Sequence, residues 1–160
     1  MYALLDGARD EQIYAGLMRS GREDERCCLY RGTLDPALAQ VAPYLVRLHP
    51  LAPLTDWLLV RGWGASWGIF VESSASLREL QRHFRRFLMV YDEDGKPLYF
   101  RYYDPRVLRT YLPICQSDEL AIVFGPVTHY LMEGESPSLL VEYTLTQGQC
   151  DERIISLIEP

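Results

Sequence analysis

The sequence predicts one α/β domain: a mixed, partly parallel sheet flanked by helices, with a C-terminal antiparallel hairpin. Three observations predict it. Short apolar or aromatic runs alternate with stretches of helical spacing through the first part of the chain, the order that βαβ units produce. Two strand-like runs near the end, 127–132 and 139–145, are joined by a segment holding Gly134 and Pro137, which reads as a hairpin. The 160 residues are 48% hydrophobic and 12% aromatic, enough for a packed core and too apolar for disorder. No repeat, low-complexity tract or long linker divides the chain, so residues 1–160 are read as one domain.

The elements follow in order. Residues 2–5 form an apolar strand ended by Asp6-Gly7. Asp10 caps a helix on which Ile13, Tyr14, Leu17 and Met18 share one face, and Gly21 ends it. Residues 22–26 are a charged loop, and 27–30 a second strand. Asp35-Pro36 opens a short helix that Pro43 breaks, because proline lacks the N–H and pushes its neighbour to extended geometry. A strand over 44–48, a turn-rich connection, a helix over 54–61 stopped by Gly62, and a strand over 67–72 come next.

The chain is organised around residues 77–113. Leu77, Leu80, Phe84, Phe87 and Leu88 fall on one helical stripe, with Arg78, Arg82, Arg85 and Arg86 opposite and Ser76 as cap. Asp92-Glu93-Asp94-Gly95 turns the chain, and 98–103 alternates as a strand. In that alternation Leu98, Phe100 and Tyr102 face one way, and Tyr99, Arg101 and Tyr103 the other. Asp104-Pro105 starts another helix with a cap and a proline at its first position, reaching Leu112 before Pro113. Residues 118–124 read as another helical turn or two, and 154–158 as an apolar tail docked on the sheet.

Charge and motifs exclude several functions. A net charge of −6 argues against general nucleic-acid binding. No run of 18 apolar residues and no signal-peptide pattern appears, so the expected location is the cytoplasm, away from membranes. Cys27, Cys28, Cys115 and Cys150 show no zinc spacing and read as free thiols. The glycines of 62–68 do not match a phosphate loop, and Asp92, Glu93 and Asp94 lack the frame of a calcium loop. HExxH does not occur; Gly64-Ala65-Ser66-Trp67-Gly68 has the G-x-S-x-G spacing, but the run leads into a strand and does not open a helix as a nucleophile elbow does. No catalytic residue, cofactor or metal is therefore expected. What remains is an interface composition. Trp63 and Trp67 lie on a glycine-rich loop, Arg78, Arg82 and Arg86 on a basic helix face, and Tyr99, Arg101 and Tyr103 on one strand face. These eight are the candidate partner-binding residues.

The run Phe100-Arg101-Tyr102-Tyr103-Asp104-Pro105-Arg106-Val107-Leu108 follows a helix with His and Arg. With APYLVRL at 42–48 and GWGASWGIF at 62–70, it resembles the bacterial type VI secretion effector adaptors, also called effector chaperones, over roughly residues 2–127. That resemblance implies a non-catalytic cytosolic carrier. Such a carrier binds a cognate secreted effector and helps load it onto the spike (VgrG-type) protein of the apparatus. Two other expectations compete with it: a small hydrolase using His83 or His129 with Asp104, and a structural homodimer built on the C-terminal strands.

Overall fold

Alternation along β1 (Tyr2–Asp6) sets the architecture. Tyr2 and Leu4 face one side of the sheet, Ala3 and Leu5 the other, and all four are buried, so both faces must be covered. The computed structural model describes residues 1–20 and 22–158. Among them the chain continues through α1 (Glu11–Ser20), β2 (Arg26–Cys28), α2 (Pro36–Val41), β3 (Pro43–Arg47), α3 (Pro53–Gly62) and β4 (Gly68–Glu72). It then forms α4 (Leu77–Phe84), β5 (Met89–Tyr91), β6 (Pro97–Tyr99), α5 (Pro105–Tyr111) and α6 (Ser117–Phe124). It finishes with β7 (His129–Glu133), β8 (Leu139–Thr146) and β9 (Gln149–Ser156). The expected helix stop at Gly21 lies outside the described residues.

Local chemistry places these boundaries. The Asp35 carboxylate accepts the Leu38 N–H at 2.9 Å, capping α2. Ser76 and Glu79 form a reciprocal capping box on α4. Asp104 accepts the Arg106 N–H at 2.9 Å, and Pro105 occupies the first turn of α5.

The large sheet runs β2-β3-β1-β4-β7-β8-β9, and every neighbouring pair is antiparallel. This corrects the partly parallel sheet expected from the β/α alternation. The crossovers do join strands of like direction: β1 to β2 through α1, and β3 to β4 through α3. Each crossover skips a place, and an oppositely directed strand fills it, β3 in the first case and β1 in the second. Alternation along a sequence reports the crossover and not what is later inserted beside it.

The two faces are covered unequally. On one, α1 and α3 bury Ile13, Leu17, Leu54 and Leu58 against Ala3, Leu5, Tyr44 and Val46. On the other, α4, α5 and α6 bring Leu80, Phe84, Leu108 and Phe124 onto Leu4, Ile69, Tyr130 and Tyr143. This second layer reaches β7 and β8, whereas the first stops near β4. The expected strand over 98–103 shortens to β6, paired with β5 in a separate two-stranded hairpin. The alternation fails because Tyr102 and Tyr103 are both buried, in a turn closed by Asp104 N–H donating to the Arg101 carbonyl at 2.9 Å. The apolar tail becomes the second half of β9, the sheet's outer strand.

Candidate functional site

Where the first helical layer stops, the sheet face is open. Phe70 on β4 lies beside Leu131 on β7, and Leu140 follows on β8. Thr55, Leu59 and Trp63 of α3 and its C-terminal end form the opposite wall. Together with Leu48, Pro50 and Leu157 they enclose a groove of about 630 Å³ that is almost wholly apolar. Leu59 is 47% exposed and Leu157 52% exposed, so the apolar surface continues out of the groove onto its rim.

The glycine-rich loop holds one wall of this groove by capturing an anion from its own chain. The Glu133 side chain, 7% exposed at the end of β7, accepts the Gly64 N–H, the Ser66 N–H at 3.0 Å and the Ser66 hydroxyl at 2.8 Å. Converging N–H groups of this kind suit a carboxylate as well as a phosphate, and here Glu133 occupies them. Gly64 takes φ +84°, a conformation that glycine adopts without strain. The loop thereby sets Trp63, whose Nε1–H donates to the Pro137 carbonyl at 2.6 Å and whose ring lies 6.2 Å from that of Phe70.

The eight candidate residues do not form one surface. Trp63 lines the groove. Trp67 is 4% exposed and packs 5.1 Å from the Trp57 ring, so it belongs to the core and not to the surface expected of it. Arg78 and Arg82 are exposed on α4, on the sheet face opposite the groove. Arg86 is also exposed, but its guanidinium donates to His83 Nδ1 at 2.9 Å. Arg85, read as part of the same stripe, reaches the carbonyls of Cys28, Leu29 and Tyr30 and ties α4 to the loop after β2. Tyr99 is 69% exposed on the β5–β6 hairpin, beside exposed Tyr91 and Leu98. Arg101 pairs with buried Asp6, and Tyr103 is buried, which corrects its place on a shared strand face with Tyr99. Leu59, Phe70, Leu131, Leu140 and Leu157 escaped sequence reasoning. Their apolar character was plain, but nothing local marks a strand face left without a helix.

Titratable groups elsewhere are held in structural contacts. His83 is buried, and its Nε2 donates to the Val123 carbonyl at 2.9 Å while Nδ1 accepts from Arg86. Burial is the main cause that pushes its pKa down to about 4; the Val123 bond opposes this and the Arg86 charge adds to it. Asp104 caps α5 and binds the Arg106 guanidinium. His129 contacts Glu72 at 3.2 Å. Among the described residues no hydrogen bond or ion pair joins Asp104 to either histidine. Burial pushes the Cys27 thiol up to about 12 and the Cys150 thiol to about 11, so both stay protonated at neutral pH. Among the described residues no group of three His, Cys, Asp or Glu converges as a metal site, and no helix is long and apolar enough to cross a membrane.

Comparison with known proteins returns one family. The model of the domain of unknown function DUF4123 matches residues 1–121. No curated protein and no solved structure matches. The match spans β1 through α6 up to Ala121, and β7, β8 and β9 lie beyond it.

Proposed function

The chain belongs to the family described as Domain of unknown function (DUF4123), and from that premise we propose that it is a type VI secretion effector adaptor. In this reading it is a non-catalytic cytosolic carrier that binds a cognate effector and brings it to the spike protein. The adaptor-like blocks at 42–48, 62–70 and 100–108 all lie inside the matched region. The observation that carries the reading is the apolar groove between α3 and the open sheet face, walled by Trp63 and floored by Phe70 and Leu131. A groove of this kind accepts the apolar side of a protein segment, and tryptophan is a frequent interface anchor. The exposed Arg78 and Arg82 on the opposite sheet face give a second, electrostatically distinct surface. Two surfaces on opposite faces suit a molecule that must hold a cargo and a delivery component together.

A tagged copy expressed in the native cell tests this. Recovery of a spike protein together with one large secreted toxin, identified by mass spectrometry, is the expected result. Recovery of neither, from a folded protein at moderate and low salt, would overturn the adaptor reading.

A further inference from the structure

β9 is eight residues long and ends the sheet, and its edge is guarded only by charges of mixed sign, Asp151, Glu152 and Arg153. It has no proline and no lysine, and its ladder with β8 runs unbroken from Leu139↔Ser156 to Thr146↔Gln149. Ile154 stands 59% exposed on it. The hairpin geometry fixes which backbone groups are left over. Gln147 and Gly148 take φ +52° and +79° in a two-residue turn, so Thr146 and Gln149 form the closing hydrogen-bonded pair. From there the pairs alternate, and Asp151, Arg153 and Ile155 spend their N–H and C=O on β8. Cys150, Glu152, Ile154 and Ser156 therefore point theirs outward.

An antiparallel copy of β9 can use those groups only in registers that oppose even-numbered residues to even-numbered residues. Charge then chooses among them. Placing Arg153 against Arg153 of the second copy, or Asp151 against Asp151, opposes like charges. Shifting so that Glu152 lies on the two-fold axis sets Asp151 against Arg153 of the second copy, and Arg153 against its Asp151. Both pairs are non-hydrogen-bonded pairs, where side chains approach most closely. In the same register Cys150 meets Ile154 of the second copy, covering an exposed apolar side chain. Arg153, 3.7 Å from Glu142 on β8, would sit between two carboxylates. Only the opposed Glu152 pair resists, and each of these accepts its own Tyr143 hydroxyl at 2.7 Å.

We infer that this chain forms a two-fold homodimer by antiparallel pairing of β9 with β9 of a second copy, in register about Glu152, extending the seven-stranded sheet across both. One strand pair is a small interface, so the dimer is weak, in the micromolar range or above. It uses neither the groove nor α4, and stands apart from the adaptor reading.

Sedimentation across a concentration series tests it. The wild-type chain should pass from monomer to dimer as concentration rises. Arg153→Asp alone and Asp151→Arg alone should each weaken dimerisation at least about tenfold, because each opposes like charges twice. Mixing those two variants should restore a dimer, as should combining both substitutions in one chain. Glu152→Gln should tighten dimerisation relative to wild type. All three positions are exposed, so the variants should fold, and circular dichroism is the check on that. A wild-type chain monomeric at millimolar concentration overturns the proposal. So does a dimer indifferent to the single reversals, or a mixture of the two that stays monomeric.

Discussion

His83 and Glu133 show how single side chains hold the structure through polar bonds made out of water. His83 is locked as the tautomer with its proton on Nε2, because Val123 offers a carbonyl there and Arg86 offers donors to Nδ1. Protonating Nδ1 would set a cation against the Arg86 guanidinium in a buried place. The folded-state pKa, about 4, lies below the unfolded value near 6.5, so the unfolded chain takes up the proton first as pH falls. His83 therefore costs almost nothing well above pH 6.5 and destabilises progressively between about 6.5 and 4, by on the order of 3 kcal/mol once both states are protonated. Urea unfolding at pH 7 and pH 4.5 should show this loss in the wild-type chain and a smaller one in His83→Gln. Equal losses would mean that the imidazole is not held neutral. Glu133 was missed as an organising residue. The glycine run does not match a phosphate loop in sequence, and the carboxylate that its N–H groups bind lies 69 residues away from Gly64.

At the scale of elements, the caps and breakers were readable because they act within four residues. Asp35, Ser76 and Asp104 all cap where the sequence places them, and Pro43 starts β3. Asp104 serves its helix twice, by accepting the Arg106 N–H and by binding the Arg106 side chain. Asp104→Ala should cost about 2 kcal/mol through loss of the cap from a buried position. Asp104→Asn keeps the cap and gives up only an ion pair whose arginine is half exposed, so it should cost clearly less. Thermal melts of the two variants decide between these outcomes, and equal destabilisation would show that the charge matters more than the cap. The β5–β6 hairpin was the element least legible. Met89–Tyr91 continues the apolar character of the helix before it, and only pairing with Pro97–Tyr99 makes it a strand. The break after Tyr99 has a tertiary cause, since Tyr102 donates its hydroxyl to the Phe84 carbonyl at 2.8 Å and is drawn into the core.

At the scale of the whole molecule, the local signals that located most strands say nothing of their order. Strand direction in the sheet depends on which strand fills the place a crossover leaves empty, and this is settled between segments far apart in sequence. The groove has the same origin. Three helices reach across one face as far as β7 and β8, while on the other face α1 and α3 end near β4, leaving Phe70, Leu131 and Leu140 half covered. Of the eight residues that the sequence nominated, Trp63 alone lines this groove. It does so because the loop that carries it is pinned by Glu133 and Pro137, both in a later part of the chain.

The proposed adaptor role depends most heavily on that groove as the proposed place of cargo binding. The measurement that tests it most directly is the affinity, by titration calorimetry, of the effector recovered with the tagged chain. It would be compared between the wild-type chain and Leu59→Glu/Leu157→Glu, two exposed rim positions whose change leaves the core intact. The account predicts a loss of about a hundredfold or more with an unchanged melting temperature, because two charges would be buried against an apolar partner. An affinity equal to that of the wild type would contradict it and place the cargo elsewhere on the molecule.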